Sequence, residues 1–113
     1  MYLPKSDIFS ALNRLRTVDY AVKQSNQNSF DDLPAVTFRV STNDITLNLD
    51  NEISKQDIEI IVDVWSEDSM TASSVLNDVE RIMRDMDYRL SFSSDIPDPE
   101  GLFHISNRFK SIK

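Results

Sequence analysis

The chain has 113 residues, 40% of them hydrophobic, a size that supports one hydrophobic core rather than two. We therefore expect a single domain spanning residues 1–113. The formal net charge of -7 disfavours ordinary nucleic-acid binding, which depends on clustered lysine and arginine. The absence of cysteine excludes disulfides, thiolate nucleophiles and cysteine-based zinc sites, and the single glycine, Gly101, excludes glycine-rich phosphate loops.

The N-terminal residues contain no positively charged segment followed by an apolar run, so no export signal is expected. No window approaches the ~20 consecutive apolar residues that a membrane span requires. We therefore expect no membrane association and folding in the cytoplasm.

The first third of the chain predicts a helix, a short strand and a loop. Apolar residues at helical spacing predict a helix over about Asp7–Arg16: they are Ile8, Ala11, Leu12 and Leu15. Weak alternation over residues 17–22 predicts a short strand, and the polar residues 23–32 predict a loop. Pro34 then opens a strand over residues 35–40, where its missing N–H is not yet needed.

Residues 41–54 predict a mobile polar arm or an exposed ribbon. Ile45, Leu47 and Leu49 alternate with polar residues, but the flanking segments are polar throughout. An apolar side on such an arm requires a partner, either the chain's own sheet or another subunit.

The strongest pattern is a strand followed by a helix. Residues 57–65 alternate, with one entirely β-branched face of Ile58, Ile60, Val62 and Val64. From Ser69 onwards the apolar residues recur at spacings of three and four: Val75, Leu76, Val79, Ile82, Met83 and Met86. We expect the helix to fold back over the β-branched face of the strand.

Two further strands are predicted towards the C-terminus, separated by a turn over residues 95–101. The first, residues 88–93, places Tyr88, Leu90 and Phe92 on one side. The last has Phe103, Ile105 and Phe109 on one face and His104, Ser106, Arg108 and Lys110 on the other. The resulting fold class is α+β: a mostly antiparallel sheet of four to five strands, two helices packed on one face, and the polar arm around residues 41–54.

The second face of the 57–65 strand carries Glu59, Ile61, Asp63 and Trp65. Glu59 and Asp63 are about 13 Å apart by strand rise, too far for a glycosidase carboxylate pair. We interpret this face as solvated or as a contact surface for another subunit. Trp65 is either an interface anchor or a cover for the edge of the core.

Other chemistry is weakly indicated. His104 is the only histidine, and no motif ties it to a nucleophile, so we expect an ordinary surface histidine. Asp95, Asp98 and Glu100 do not have the spacing of a calcium loop. Methionines at helical spacing indicate core filling rather than a cofactor site. We therefore expect no enzyme activity, no metal and no cofactor.

The order of elements resembles the tail-completion or tail-terminator proteins of long-tailed bacteriophages, which join heads to tails. The resemblance covers about residues 8–109. Its local matches are residues 32–36 (Asp-Leu-Pro-Ala-Val), 62–66 (Val-Asp-Val-Trp-Ser) and 98–101 (Asp-Pro-Glu-Gly). The chain departs from the family in having so little glycine.

This resemblance implies a structural virion protein at the head-tail junction, made in the host cytoplasm. It implies a ring, usually hexameric, whose subunits are monomers before assembly. The implied partners are other copies of the chain, the tail tube protein, and the head connector or head-completion protein. DNA would pass through without specific binding, because a lumen lined with carboxylates repels phosphate. The candidate interface or lumen residues are Glu59, Ile61, Asp63, Trp65, Asp44, Asp50 and Glu52.

Two other classes of function stay open from the sequence. One is a monomeric binding or inhibitory protein whose acidic surface mimics nucleic acid and acts on a DNA-handling partner. The other is a small enzyme centred on His104.

Overall fold

The computed structural model describes residues 4–24, 33–97 and 101–113. Two helices and five strands follow one another along the chain. The elements are α1 (Pro4–Arg14), β1 (Ala21–Gln24), β2 (Ala35–Leu47), β3 (Ile53–Ser66), α2 (Ser69–Asp85), β4 (Arg89–Ile96) and β5 (Phe103–Ile112).

The five strands form one mixed sheet in the order β1-β2-β3-β5-β4. β1 pairs with β2 in parallel, and the other three pairings are antiparallel. Both helices lie on one face, because their apolar residues share a core with a single face of β2 and β3. The predicted α+β class, with a mostly antiparallel sheet and two helices on one face, is confirmed.

The core lies between α2 and the centre of the sheet, as the sequence predicted. The β-branched face of β3 is fully covered by apolar residues of α2. These buried residues are Ile58, Ile60, Val62 and Val64 from β3 and Val75, Val79, Ile82 and Met83 from α2, with Leu76 partly buried. Ile8 and Leu12 of α1 extend the same core over β2. Burial of such side chains contributes roughly 1.5–3 kcal/mol each and is the main stabilising term of the fold.

Helix α2 has defined caps at both ends. The Asp68 carboxylate accepts a hydrogen bond from the Thr71 N–H at 3.2 Å, which satisfies one of the free donors of the first turn. At the other end, the Asp87 N–H donates to the Arg84 carbonyl and the Tyr88 N–H donates to the Met83 carbonyl. This is a Schellman motif, and Asp87 occupies its left-handed position with a φ of 67°.

Replacing Asp87 with glycine is expected to raise the free energy of unfolding by about 0.5–1 kcal/mol. Glycine adopts positive φ without steric cost, and the change also removes a negative charge from the negative end of the helix dipole. Chemical denaturation checks the result. Asp87→Ala is the control: it removes the same charge but keeps a Cβ, so it should destabilise the protein.

The segment before the sheet differs from its prediction. Helix α1 begins and ends earlier than the predicted Asp7–Arg16, and the strand predicted over residues 17–22 forms later, as β1. Thr17 and Tyr20 are held instead by the carboxylate of Asp78 on α2. These hydrogen bonds keep residues 17–20 against the helix and out of the sheet. The first two residues of the loop predicted over 23–32, Lys23 and Gln24, belong to β1 instead, and residues 25–32 lie outside the described residues.

Strand β4 contains a β-bulge that changes which face Phe92 occupies. Leu90 pairs with Phe109, but Phe92 pairs with Arg108, so Ser91 is an extra residue between them. Leu90 and Phe92 therefore lie on opposite faces, and the prediction that they share one is wrong. The predicted faces of β5 are confirmed.

The turn between β4 and β5 is partly described. β4 continues to Ile96, so its last two residues fall within the turn predicted over residues 95–101, and Gly101 has a φ of 82°. Asp98 and Glu100, considered above as oxygen ligands, lie outside the described residues.

The predicted arm is a two-stranded ribbon formed by the far ends of β2 and β3. β5 ends opposite Asp57. The residues of β3 that precede Asp57 in the chain therefore extend past the end of β5 while still paired with β2. The ribbon closes in a turn in which the Asn48 side chain accepts hydrogen bonds from the backbone of Asp50 and Glu52, and Asn51 has a φ of 61°. The arm makes the molecule elongated, with extents of 52 × 27 × 23 Å. Its radius of gyration is 15.0 Å, against about 13 Å for a compact chain of this length.

Candidate functional site

The face of the sheet opposite the helices, termed here the open face, carries the β3 residues that the sequence singled out. Cross-strand register places residues of β3 and of its two neighbouring strands there. From β3 these are Asp57, Glu59, Ile61, Asp63 and Trp65, flanked by Thr37, Arg39 and Thr42 on β2 and by His104, Ser106, Arg108 and Lys110 on β5. No described helix covers this face. The predicted grouping of Glu59, Ile61, Asp63 and Trp65 on one face is confirmed.

These β3 side chains are more covered than strand alternation suggests. Ile61 is only 6% exposed, because Arg39 and Arg108 flank it on the two neighbouring strands and their aliphatic stems shield it. Glu59 and Asp63 each retain 15% of their side-chain exposure. Glu59 lies 3.9 Å from Arg108 and 3.7 Å from Lys110, so its charge is balanced by two cations.

His104 belongs to a polar cluster at the end of the open face. Its Nε2 lies 3.1 Å from an Asp63 carboxylate oxygen, and its ring stacks on Trp65 at a centroid distance of 3.6 Å. The Trp65 indole N–H donates to the Thr37 hydroxyl at 3.2 Å. The expectation of an ordinary surface histidine is therefore wrong, because the His104 side chain is only 11% exposed.

The arrangement around His104 could orient an imidazole but does not include a nucleophile. An aspartate that holds a histidine ring is one element of a catalytic triad. Among the residues that the structure describes, no serine or threonine hydroxyl hydrogen-bonds to the His104 ring. The contacts of the cluster tie Trp65 and the end of β3 to β5 through His104 and to β2 through Thr37.

A double-mutant cycle of His104→Ala and Asp63→Asn is expected to give a coupling free energy of about 1 kcal/mol. The two side chains are in contact and largely shielded from water, so removing either one already removes their interaction. Urea denaturation of the two single variants and the double variant measures it. The cycle of His104→Ala with Glu59→Gln is the control and should be additive, because those residues are distant along the sheet.

Exposed cations dominate the rest of the open face. Arg39 and Arg89 are exposed, and the side chains of Arg108 and Lys110 are 53% and 63% exposed. The Arg108 guanidinium also lies 5.8 Å from the centroid of the Phe92 ring, which reaches this face through the bulge. The well-exposed charges of the open face are thus mostly cations, because Glu59 and Asp63 are only 15% exposed; Asp57, at the base of the arm, is the exception at 44%. Sequence reasoning missed this patch, because the only available signal, alternation in β5, does not reveal that β5 lies beside β3.

The arm presents a different surface. Leu47 is 54% exposed and Leu49 at the turn is completely exposed. Ile45 and Leu47 lie on one side of β2 by alternation, and Leu47 pairs with Ile53, so these three side chains share one side of the ribbon. All three predicted arm carboxylates, Asp44, Asp50 and Glu52, are exposed.

Asp78 is a buried carboxylate that fastens α2 to the chain before the sheet. Its side chain is 3% exposed and accepts hydrogen bonds from the Thr17 N–H at 3.1 Å, the Thr17 hydroxyl at 2.7 Å and Arg81 at 2.9 Å. Burial by itself would raise the pKa of Asp78, but the hydrogen bonds from Arg81, Thr17 and Tyr20 outweigh it and lower that pKa below its usual value. Burial, together with the Asp78 charge, raises the pKa of the Tyr20 hydroxyl.

An open groove of about 690 Å³ lies at the base of the arm. It combines carboxylates of Asp44, Asp57 and Glu59 with the cations Arg89 and Lys110. No group of histidine, aspartate and glutamate side chains within the described ranges is arranged to hold a metal ion. Within the same ranges, neither helix combines the length and the apolar character that crossing a bilayer requires.

No family model matches this chain. A search of curated proteins also gives no significant match. Function must therefore be argued from the arm, the open face and the charges that they carry.

Proposed function

We propose that this protein is a structural subunit of a phage particle that forms a ring, caps the tail tube and joins it to the head connector. The order of its elements resembles that of phage tail-completion and tail-terminator proteins. In this role it acts in the virion at the head-tail junction and is made in the host cytoplasm. Its partners are other copies of itself, the tail tube protein, and the head connector or a head-completion protein. The proposal assigns no catalysis and no cofactor.

The observation that carries the proposal is the arm. In a monomer, a projecting ribbon whose large aliphatic side chains face water adds no hydrophobic burial to the stability of the fold, and exposed apolar surface of this kind marks a site of contact with another molecule. Leu47 and Leu49 are exposed although other residues of the chain bury aliphatic side chains efficiently. Assembly supplies the missing cover, because a neighbouring subunit removes this apolar surface from water.

Charge also supports a protein that surrounds DNA without binding it. The chain has 19 acidic and 12 basic residues, and a surface of net negative charge repels phosphate. Glu59 and Asp63 contribute little to such repulsion, because each is largely covered and lies against a side chain of β5. Of the predicted lumen residues, the arm carboxylates expose more of their charge.

Particles that lack this protein test the joining role. We expect full heads and complete tails to accumulate separately in electron micrographs, and added purified protein to restore joined particles. Joined particles in its absence would contradict the proposal. Failure of an earlier step, such as empty heads or unfinished tails, would also contradict it.

The double substitution Leu47→Ser with Leu49→Ser is expected to abolish joining while leaving the fold intact. Both side chains are exposed in the isolated chain, so the free energy of unfolding should change by less than about 0.5 kcal/mol. Thermal unfolding and the addition assay measure the two effects separately. Met70→Ser is the matched control, because Met70 is 78% exposed at the start of α2 and away from the arm.

A further inference from the structure

The molecule has two surfaces of opposite character. The tip of the arm is acidic and aliphatic, with Asp50 and Glu52 beside Leu49. The open face presents exposed cations on β2, β4 and β5 and the exposed ring of Phe92, while its carboxylates Glu59 and Asp63 are largely covered. The two surfaces are complementary: the arm tip has negative charge and an exposed leucine, and the open face has exposed cations and an exposed aromatic ring.

These two surfaces cannot meet within one chain. The arm is the continuation of β2 and β3, and these strands also form the middle of the sheet. It therefore extends away from the open face of its own sheet. Contact between the arm and an open face therefore requires a second copy. Such a contact between unlike surfaces, repeated head to tail from one copy to the next, builds a ring when the rotation between neighbouring copies closes.

We propose that the arm of each subunit docks across the open face of the next subunit. This inference rests on the proposed ring and names the contact that builds it. The dimensions match: about six residues of two-stranded ribbon extend ~20 Å, and five strands at ~4.8 Å spacing span ~20 Å. Leu47 and Leu49 then lie against Phe92 and the stems of the arginines, and Asp50 and Glu52 pair with Arg39 and Arg89.

The docked arm divides the predicted lumen residues into two groups. Asp50 and Glu52, at the turn, belong to the contact between subunits. Asp44 lies on the side of the ribbon opposite Ile45 and Leu47, so it stays outside the apolar contact. It lies opposite Asp57 in the cross-strand register and lines the groove with Arg89 and Lys110, so it lies beside the surface that receives the next arm.

A polyanion such as single-stranded DNA is the competing occupant of the open face. Two observations favour the arm of another copy over a polyanion as the occupant. The net charge of -7 repels a polyanion at a distance. The acidic arm, by contrast, is present on every other copy of the chain, at the same concentration as the face that it would occupy. The apolar side of the arm also requires an apolar partner, which a phosphate backbone does not provide.

Engineered cysteines test the contact, because the chain contains no cysteine of its own. A Leu49→Cys variant is mixed with a Phe92→Cys variant under mild oxidation, and the mixed disulfide is quantified by mass spectrometry. We expect it to form at least about tenfold faster than the disulfide between Leu49→Cys and the control Asn77→Cys, which lies on the exposed side of α2. This excess should disappear when Asp50→Lys and Glu52→Lys are added, and return when Arg39→Glu and Arg89→Glu are introduced on the Phe92→Cys partner.

Other results would overturn the docked arm. Equal rates with the control position would show that the arm does not contact this face. Faster disulfide formation between two Phe92→Cys chains would show that the open faces pack against each other. Binding of a fluorescent single-stranded oligonucleotide that is lost in the Arg39→Glu, Arg89→Glu variant, with no mixed disulfide, would assign the face to nucleic acid. Head-tail joining measured on the same variants separates these failures from a failure of the ring proposal itself.

Discussion

Replacing Phe109 with alanine is expected to lower the free energy of unfolding by about 3–5 kcal/mol. Phe109 is 1% exposed and lies in the core between β5 and α2. Its removal deletes apolar burial and leaves a cavity, because the β-branched residues around it cannot collapse into the space. Urea denaturation measures the change, and the loss should appear in the midpoint with little change in slope.

Phe92→Ala is the matched control for this experiment. It changes the same residue type on the adjacent strand, but Phe92 is 56% exposed and lies on the open face beside Arg108. We expect a loss of less than about 1 kcal/mol. Equal losses at the two positions would contradict the bulge at Ser91, since that bulge is what places the two rings on opposite faces.

Replacing Asp78 with alanine is expected to cost about 3 kcal/mol of stability. The change removes the acceptor for Thr17 and Tyr20, and leaves the Thr17 N–H and the Tyr20 hydroxyl with fewer partners in a region largely closed to water. Thermal unfolding should show a lower melting temperature, by about 4–8 °C per kcal/mol for a domain near this size.

Asp85→Ala is the control for Asp78. Asp85 is on the same helix and is 60% exposed, with an Arg81 nitrogen 3.8 Å away, so its removal should change stability by less than about 0.5 kcal/mol. The two results together distinguish the stability contribution of a buried carboxylate from that of an exposed carboxylate, since both Asp78 and Asp85 lie near Arg81.

Asp78 also predicts how stability depends on pH. Because folding lowers the pKa of this carboxyl, its contribution is complete above the ordinary aspartate value of about 3.9 and is lost as the pH falls through the folded-state pKa. The stability advantage of the wild type over Asp78→Asn should therefore be constant near neutral pH and should shrink below about pH 4. An advantage that grew as the pH fell would contradict this assignment.

The pairing of a strand with the following helix could be predicted because its physical signal is local. The β-branched alternation of β3 and the three-and-four spacing of α2 are strong patterns, and the two elements adjoin in the chain. The apolar face of β3 and the apolar face of α2 pack against each other, because this contact is what buries both of them. The residues on each face followed directly.

The bulges could not be predicted, because an inserted residue looks like any other residue in an alternating pattern. Ser41 and Ser91 each displace the register of their strand by one residue, and the displacement is visible only when the partner strand is known. The extra residue Ser91 places Phe92 on the open face, opposite the side that Leu90 occupies. The cation patch was missed for a related reason, since β5 lies between β3 and β4 although it follows both in the chain.

The role of Asp78 was also invisible in the sequence. By the helical pattern of α2, Asp78 falls among the polar positions between the apolar ones, which predicts an ordinary solvated side chain. The segment that contains Thr17 and Tyr20, distant in the chain, covers the Asp78 side chain and hydrogen-bonds to it. Similarly, the sequence places Ile61 on a face interpreted as solvated or as a contact or lumen surface, and the structure leaves it only 6% exposed between Arg39 and Arg108. Long polar side chains on neighbouring strands cover apolar area that a pattern for one strand assigns to solvent.

We propose that this chain assembles as a ring on the end of a tail tube. Purified tubes incubated with the protein and imaged by electron microscopy test it most directly. We predict a closed ring of identical copies at one end of each tube, absent when the Leu47→Ser, Leu49→Ser variant is used. Tubes that remain bare, or single copies scattered along the tube wall, would contradict the account.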